Sequence, residues 1–214
     1  MKVLSGSLAA FNRIYLILDK EVFSGLSLEK KTKLFSSRSI GIIQLRDKKS
    51  SKPELLKFAL EIRSRFDFSG KLFIINDYPD LAVASMADGV HLGQSDLPLR
   101  RARDLLGKEM ILGISCHTLD QALKAQDDGA DYLGIGPVYP TATKPGCRQI
   151  GLRELSRLQG RIRIPYFAIG GIDKENLEQV KASGGNRIAV CGAVLKAASP
   201  GEAADQLLNK LRKI

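Results

Sequence analysis

Charged and amide side chains gather where short apolar runs stop. Gln44, Arg46 and Lys48 stand in QLRDK, Asn76 and Asp77 in IIND, and His91 and Asp96 in GVHLGQSD. Side chains at i, i+2 and i+4 of a strand share one face. Gln44, Arg46 and Lys48 therefore form a row, with Ile43 and Leu45 turned the other way. An amide and two cations in one row suit a phosphate or diphosphate. Two carboxylates beside those cations, Asp77 and Asp96, suit a Mg²⁺ shared with a substrate phosphate, because that ion prefers oxygen ligands and keeps part of its water. Asp77 has a second reading, as the N-cap of a helix begun by Tyr78-Pro79.

Further along, Thr141, Thr143 and Lys144 lie in a proline- and glycine-bounded loop and offer two hydroxyls and an ammonium to a phosphate. Gly170-Gly171 and Cys191-Gly192 end the last two apolar runs. Glycine there lets backbone N–H groups approach an anion. The two histidines, His91 and His117, both sit at the ends of apolar runs. The residues thus describe two anion-binding regions, one assisted by metal and one by backbone.

The elements that must hold these residues alternate along the chain. Apolar, β-rich runs fall at 13–19, 41–48, 71–77, 89–93, 110–116, 132–138, 166–171 and 187–194. Between them lie amphipathic stretches with helix-start signals, such as Thr118 with Gln121 and Ser199-Pro200-Gly201-Glu202. In 53–66, Leu55, Ala59, Ile62 and Phe66 share one helical face. Eight strand-helix units in about 200 residues predict an α/β fold, a single (β/α)₈ TIM barrel of parallel strands. One domain over 1–214 is expected, with residues 1–12 as a short N-terminal extension or cap. Such barrels collect their sites at the C-terminal strand ends, where these polar residues fall.

Composition narrows the partners. The three cysteines, Cys116, Cys147 and Cys191, have no CxxC spacing, which argues against a disulfide framework or zinc site and fits a reducing cytoplasm. No apolar stretch reaches the roughly 20 residues of a membrane span. A net charge of +10 admits nucleic acid or small anions. The basic residues are scattered over helical segments with no aromatic-interleaved ribbon, which favours small anionic substrates over nucleic acid. A homo-oligomer is compatible with all of this.

These residues, in this order, resemble the thiamine-phosphate synthase and thiazole tautomerase family. The resemblance runs from about 13 to 205 and rests on QLRDK (44–48), IINDYPDLA (74–82), ADGVHLGQSDLP (87–98), GISCHT (113–118), GADYLGIGPVYPTATK (129–144) and AIGGID (168–173). It implies joining of a hydroxymethylpyrimidine diphosphate to a thiazole phosphate, with release of pyrophosphate. It further implies that Gln44, Arg46, Lys48 and Asn76 bind the diphosphate substrate, with Ser115 and Lys144 as further contacts. Asp77 and Asp96 would hold Mg²⁺, and His91 would orient the pyrophosphate region. Arg46, Lys48 and Lys144 would stabilise charge on the leaving group. Thr141, Thr143 and Gly171 would contact the thiazole phosphate, joined by backbone at Cys191 and Gly192. The chain departs from the family at Gly192, where a serine is usual; its hydroxyl is one phosphate hydrogen bond fewer.

Two alternatives follow. A thiazole tautomerase shares the fold, and His117 matches the position of its key histidine, yet it has no diphosphate to bind. A non-catalytic sensor of a thiamine precursor would not need residues that stabilise a leaving group.

Overall fold

The computed structural model describes residues 10–141 and 148–212. Eight strands form a closed barrel in chain order: β1 Ile14–Asp19, β2 Ile40–Arg46, β3 Leu72–Asn76, β4 Gly89–Leu92, β5 Ile111–Cys116, β6 Tyr132–Ile135, β7 Tyr166–Ile169 and β8 Ile188–Val190. Every neighbouring pair is parallel, and β1 closes on β8 through Tyr15 opposite Ala189 and Leu16 opposite Val190. The expected (β/α)₈ TIM barrel is borne out.

Period-two alternation builds two apolar layers. Leu16, Leu18, Ile43, Leu45, Phe73, Ile75, Val90 and Leu112 face outward into the helix layer. Tyr15, Ile17, Ile42, Ile74, Ile111, Tyr132 and Phe167 fill the interior. Below them, Ala10 and Phe11 pack against the same cluster, and Arg187 Nε donates to the Phe11 carbonyl at 2.8 Å. Glycines make room for large rings: a Cβ on Gly113 would fall 2.1 Å from Tyr132 Cζ.

The helices follow their sequence signals. In chain order they are α1 Lys20–Ser24, α2 Leu28–Ser36, α3 Lys52–Arg65, α4 Pro79–Ala84, α5 Leu99–Leu106, α6 Leu119–Asp127, α7 Gly151–Arg157, α8 Leu177–Ala182, α9 Gly192–Leu195 and α10 Pro200–Arg212. Helix α3 buries Leu55, Ala59 and Ile62, the expected face. Thr118 caps α6 by accepting from Gln121 N at 3.2 Å, but Gln121 Oε1 reaches His117 N rather than closing the box on Thr118. No helix among the described residues is long and apolar enough to cross a membrane.

Six strands end one to four residues earlier than the apolar runs suggest, and for three of them the cause is visible. Strand β2 stops at Arg46 because the Asp47 side chain accepts from Lys49 N (2.8 Å) and Ser50 N (3.2 Å), turning the chain. Strand β6 stops before Gly136-Pro137, since proline has no N–H for the ladder. Strand β8 ends at Val190, not beyond Gly192. The Cys191 carbonyl accepts from Val194 N (3.1 Å) and Leu195 N (2.9 Å), starting α9 instead of extending the sheet.

Candidate functional site

The interior positions of each strand grow polar toward the C-terminal end. On β2 the inward row runs Ile42, Gln44, Arg46, on β3 Ile74, Asn76, and on β4 Gly89, His91. The row ends in a cavity of about 690 Å³ lined by Gln44, Arg46, Lys48, Asn76, His91 and Ser115 on one side. Thr141, Gly171, Cys191 and Gly192 line the other side. Thr143 and Lys144 lie outside the described residues.

Hydrogen bonds fix this polar wall. Gln44 is only 3% exposed, and its Nε2 donates to Asn76 Oδ1 at 2.9 Å, so the two amides hold each other's orientation. Arg46 pairs with Asp19 at 3.4 Å, and Asp19 also caps α1 by accepting from Val22 N at 3.3 Å. Lys48, placed just past the strand rather than within it, forms an ion pair with Asp77. The expected three-residue row is therefore two strand positions and one turn position, converging on the same cavity.

Asp77 is not the N-cap of α4; Tyr78 holds that position. Asp77 instead adopts φ 66°, and its N–H donates to the His91 carbonyl at 2.8 Å. This left-handed turn directs its carboxylate to Lys48 and Asp96. Left-handed φ is uncommon outside glycine, and aspartate is among the residues that tolerate it. Burial pushes the Asp77 carboxyl above the ordinary carboxylate range; the Lys48 ammonium pulls it back, and the neighbouring Asp96 carboxylate pushes it up again. Asp96 is held by Gly93 N–H at 2.6 Å. Two carboxylates pressed together and half-shielded from water gain from a shared divalent cation. Among the described residues no group of three His, Cys, Asp or Glu side chains forms a metal cage. The pair fits an ion that takes its other ligands from water and a substrate phosphate, as Mg²⁺ does. Asp77 and Asp96 lie in a smaller recess shared with Lys48, Ser115 and His117, opening beside the main cavity.

The glycine pair has a packing reason beside any anion. A Cβ on Gly170 would lie 2.5 Å from Pro137 Cβ, and one on Gly171 would lie 2.4 Å from the Pro140 carbonyl. Both also have positive φ, 98° and 64°. The β6 and β7 loops thus interlock through them. Asn176 Nδ2 donates to the Gly171 carbonyl at 2.8 Å, steadying the loop.

Sequence reasoning missed Asp19 and Lys196, and gave Gln94, in the loop with Asp96, no role. Asp19 and Lys196 line the cavity, and Gln94 Nε2 donates to the Ser115 carbonyl at 2.7 Å. Asp19 ends the first apolar run, which was a readable signal. Lys196 follows α9, where the extended-strand expectation hid it. His117 also lines the cavity, with Nδ1 bonded to the Gly136 carbonyl.

Known proteins resemble this chain in sequence and fold. The family described as thiamine monophosphate synthase matches residues 14–194. A thiamine-phosphate synthase of Gloeobacter violaceus is 48% identical over 172 residues, covering 80% of this chain and 50% of that protein. One of Methanocella arvoryzae is 42% identical over 183 residues, covering 85% and 86%. The chain spans about half the length of the Gloeobacter relative but most of the Methanocella one. Among solved structures, a thiamine phosphate pyrophosphorylase from Pyrococcus furiosus superposes with a TM-score of 0.83 at 31% identity, covering 96% of this chain and all of that one. The motifs at the strand ends and these matches agree: the chain belongs to the thiamine monophosphate synthase family.

Proposed function

We propose that the chain is a thiamine-phosphate synthase, joining hydroxymethylpyrimidine diphosphate to a thiazole phosphate with release of pyrophosphate. The observation that carries this reading is the convergence of Gln44, Asn76, Arg46 and Lys48 on one cavity, with Asp77 and Asp96 in the adjoining recess. A tautomerase has no use for that set, and a sensor has no need to stabilise a leaving group.

In this reading Gln44 and Asn76, each orienting the other, bind the pyrimidine diphosphate together with Arg46, Lys48 and Ser115. His91 orients the pyrophosphate region. Asp77 and Asp96 would hold a Mg²⁺, which when bound would neutralise diphosphate charge and so favour its departure. The C–O bond to the diphosphate breaks, its electron pair leaving with the phosphate oxygen. The thiazole nitrogen lone pair forms the new C–N bond. Negative charge grows on the departing diphosphate, where Arg46, Lys48 and Lys144 stabilise it without reorganisation. Thr141, Thr143 and Gly171, with backbone groups at Cys191 and Gly192, hold the thiazole phosphate, so that apposition of the two rings supplies the rest. No covalent enzyme intermediate is required.

The test is direct. The purified chain, given both substrates and Mg²⁺, forms pyrophosphate and thiamine phosphate in equal amounts, and chelation of the metal stops it. Asp77→Ala lowers kcat/KM by roughly 100-fold, in the range for loss of a charge-stabilising group, while the circular dichroism spectrum stays native. A folded wild-type chain that turns over no thiazole phosphate rules the assignment out.

A further inference from the structure

Beneath the cavity, four side chains cross the barrel interior in an unbroken hydrogen-bonded line. Ser115 Oγ lies 2.9 Å from His91 Nε2, and His91 Nδ1 lies 3.0 Å from the Tyr132 hydroxyl. That hydroxyl lies 2.8 Å from the hydroxyl of Tyr15. Ser115 and His91 line the cavity, whereas Tyr132 and Tyr15 sit below it in the apolar interior. Both tyrosines are fully shielded, and burial raises their pKa values, so each remains a hydroxyl. Gly113 and Gly134 leave room for these rings: a Cβ on Gly134 would lie 3.2 Å from His91 Cε1. Polar groups at this depth serve no packing need that phenylalanine would not meet.

The line has a direction. Each hydroxyl has one hydrogen to give, and a neutral imidazole has one N–H. Among the described residues, the Tyr15 hydroxyl has Tyr132 as its hydrogen-bond partner. Were Tyr132 to donate to Tyr15, the Tyr15 hydrogen would be buried with no acceptor. A stranded buried donor is costlier than an unused lone pair. Tyr15 therefore donates to Tyr132, and Tyr132 donates to His91 Nδ1. The imidazole proton is then on Nε2, donated to Ser115 Oγ, and the Ser115 hydrogen is turned toward the cavity.

We infer that Tyr132, braced by Tyr15, is a positioning residue: it fixes His91 in the Nε2–H tautomer and thereby makes Ser115 a hydrogen-bond donor to an acceptor atom of the bound pyrimidine diphosphate. The identity of that ligand rests on the synthase reading; the tautomer does not.

Nitrogen-15 NMR of the histidine-labelled full chain, with His91 assigned by comparison with His91→Asn, reads the tautomer directly. The wild-type protein shows one neutral form, protonated at Nε2. Tyr132→Phe, which keeps the ring, loses that single form to an exchange-averaged pair. The same variant raises KM for the pyrimidine diphosphate roughly fivefold, the worth of one hydrogen bond, and leaves KM for the thiazole phosphate unchanged. Because Tyr132 acts through Ser115, adding Tyr132→Phe to Ser115→Ala costs nothing more than Ser115→Ala alone. A wild-type Nδ1–H form, an unchanged nitrogen pattern in Tyr132→Phe, or additive penalties overturns the inference. The wild-type spectrum decides even if the variant does not fold. A wild-type chain without turnover defeats the synthase reading instead and leaves the spectrum to judge the tautomer.

Discussion

At the scale of single residues, burial separates groups that share a chemistry. Cys116 points into the outer apolar layer, and burial pushes its thiol up to about 12. Cys191 sits half-buried on the cavity wall. Thiolate, not thiol, reacts with alkylating agents, so at pH 8 the population of reactive Cys116 is negligible and its access is closed. Iodoacetamide on the native protein is expected to modify Cys191 and spare Cys116, as peptide mass mapping would read. Saturating thiazole phosphate should slow the Cys191 reaction, since in the proposed site that substrate covers the wall at 191–192. Equal labelling of the two cysteines would show that the outer layer opens on the labelling timescale. Burial likewise sets Asp77 apart, raising its carboxyl against the pull of the Lys48 ammonium, with the Asp96 carboxylate adding to the rise.

At the scale of elements, strand spacing decides which side chains can coexist. Gly113 on β5 leaves the volume that the Tyr132 ring of β6 occupies. Gly113→Ala forces that ring aside and is expected to lower unfolding free energy by about 1–3 kcal/mol, measured from urea midpoints at unchanged slope. A midpoint equal to wild type would mean the ring has room the packing does not suggest. The strands themselves were legible because, buried on both faces, they read as short continuous apolar runs, and all eight starts were readable to within a residue. The ends at Asp19 and Cys116 fell where read; those of β2 and β6 did not, because hydrogen bonds accepted by the Asp47 side chain and the missing N–H of Pro137 stop pairing while the runs continue. Gly192 was misplaced for a related reason: the Cys191 carbonyl, which accepts from Val194 N and Leu195 N to start a helix, leaves no mark on hydrophobic pattern. Lys48, expected in one row with Gln44 and Arg46, lies in the turn past the strand. Gln44 and Arg46 were legible as one row from period two alone. The Tyr15–Tyr132–His91–Ser115 line was not, since a tyrosine in an apolar run reads as core. Only barrel closure brings residues 117 positions apart within hydrogen-bond reach.

At the scale of the whole molecule, the charge of +10 takes on meaning from where the cavity opens. Many surface cations are already paired along helices, as in Lys33–Glu29, Arg65–Glu61 and Lys124–Asp128, and such exposed pairs contribute little to stability. Their local pairing does not cancel the net field, which attracts anions from a distance and falls off with the Debye length, about 30 Å at 0.01 M salt and about 8 Å at 0.15 M. Groups within the cavity lie closer to a bound diphosphate than either length and are screened far less. Ionic strength should thus act on capture and not on the bond-breaking step. Raising salt over that range, at constant free Mg²⁺, is expected to lower kcat/KM for the pyrimidine diphosphate severalfold and to leave kcat within about twofold, because steering changes association rates more than interactions already formed. Steady-state kinetics at a series of salt concentrations separates the two. A kcat that falls in parallel with kcat/KM would place the salt-sensitive charges in contact with the reacting diphosphate, and the surface field would then have no part in substrate capture.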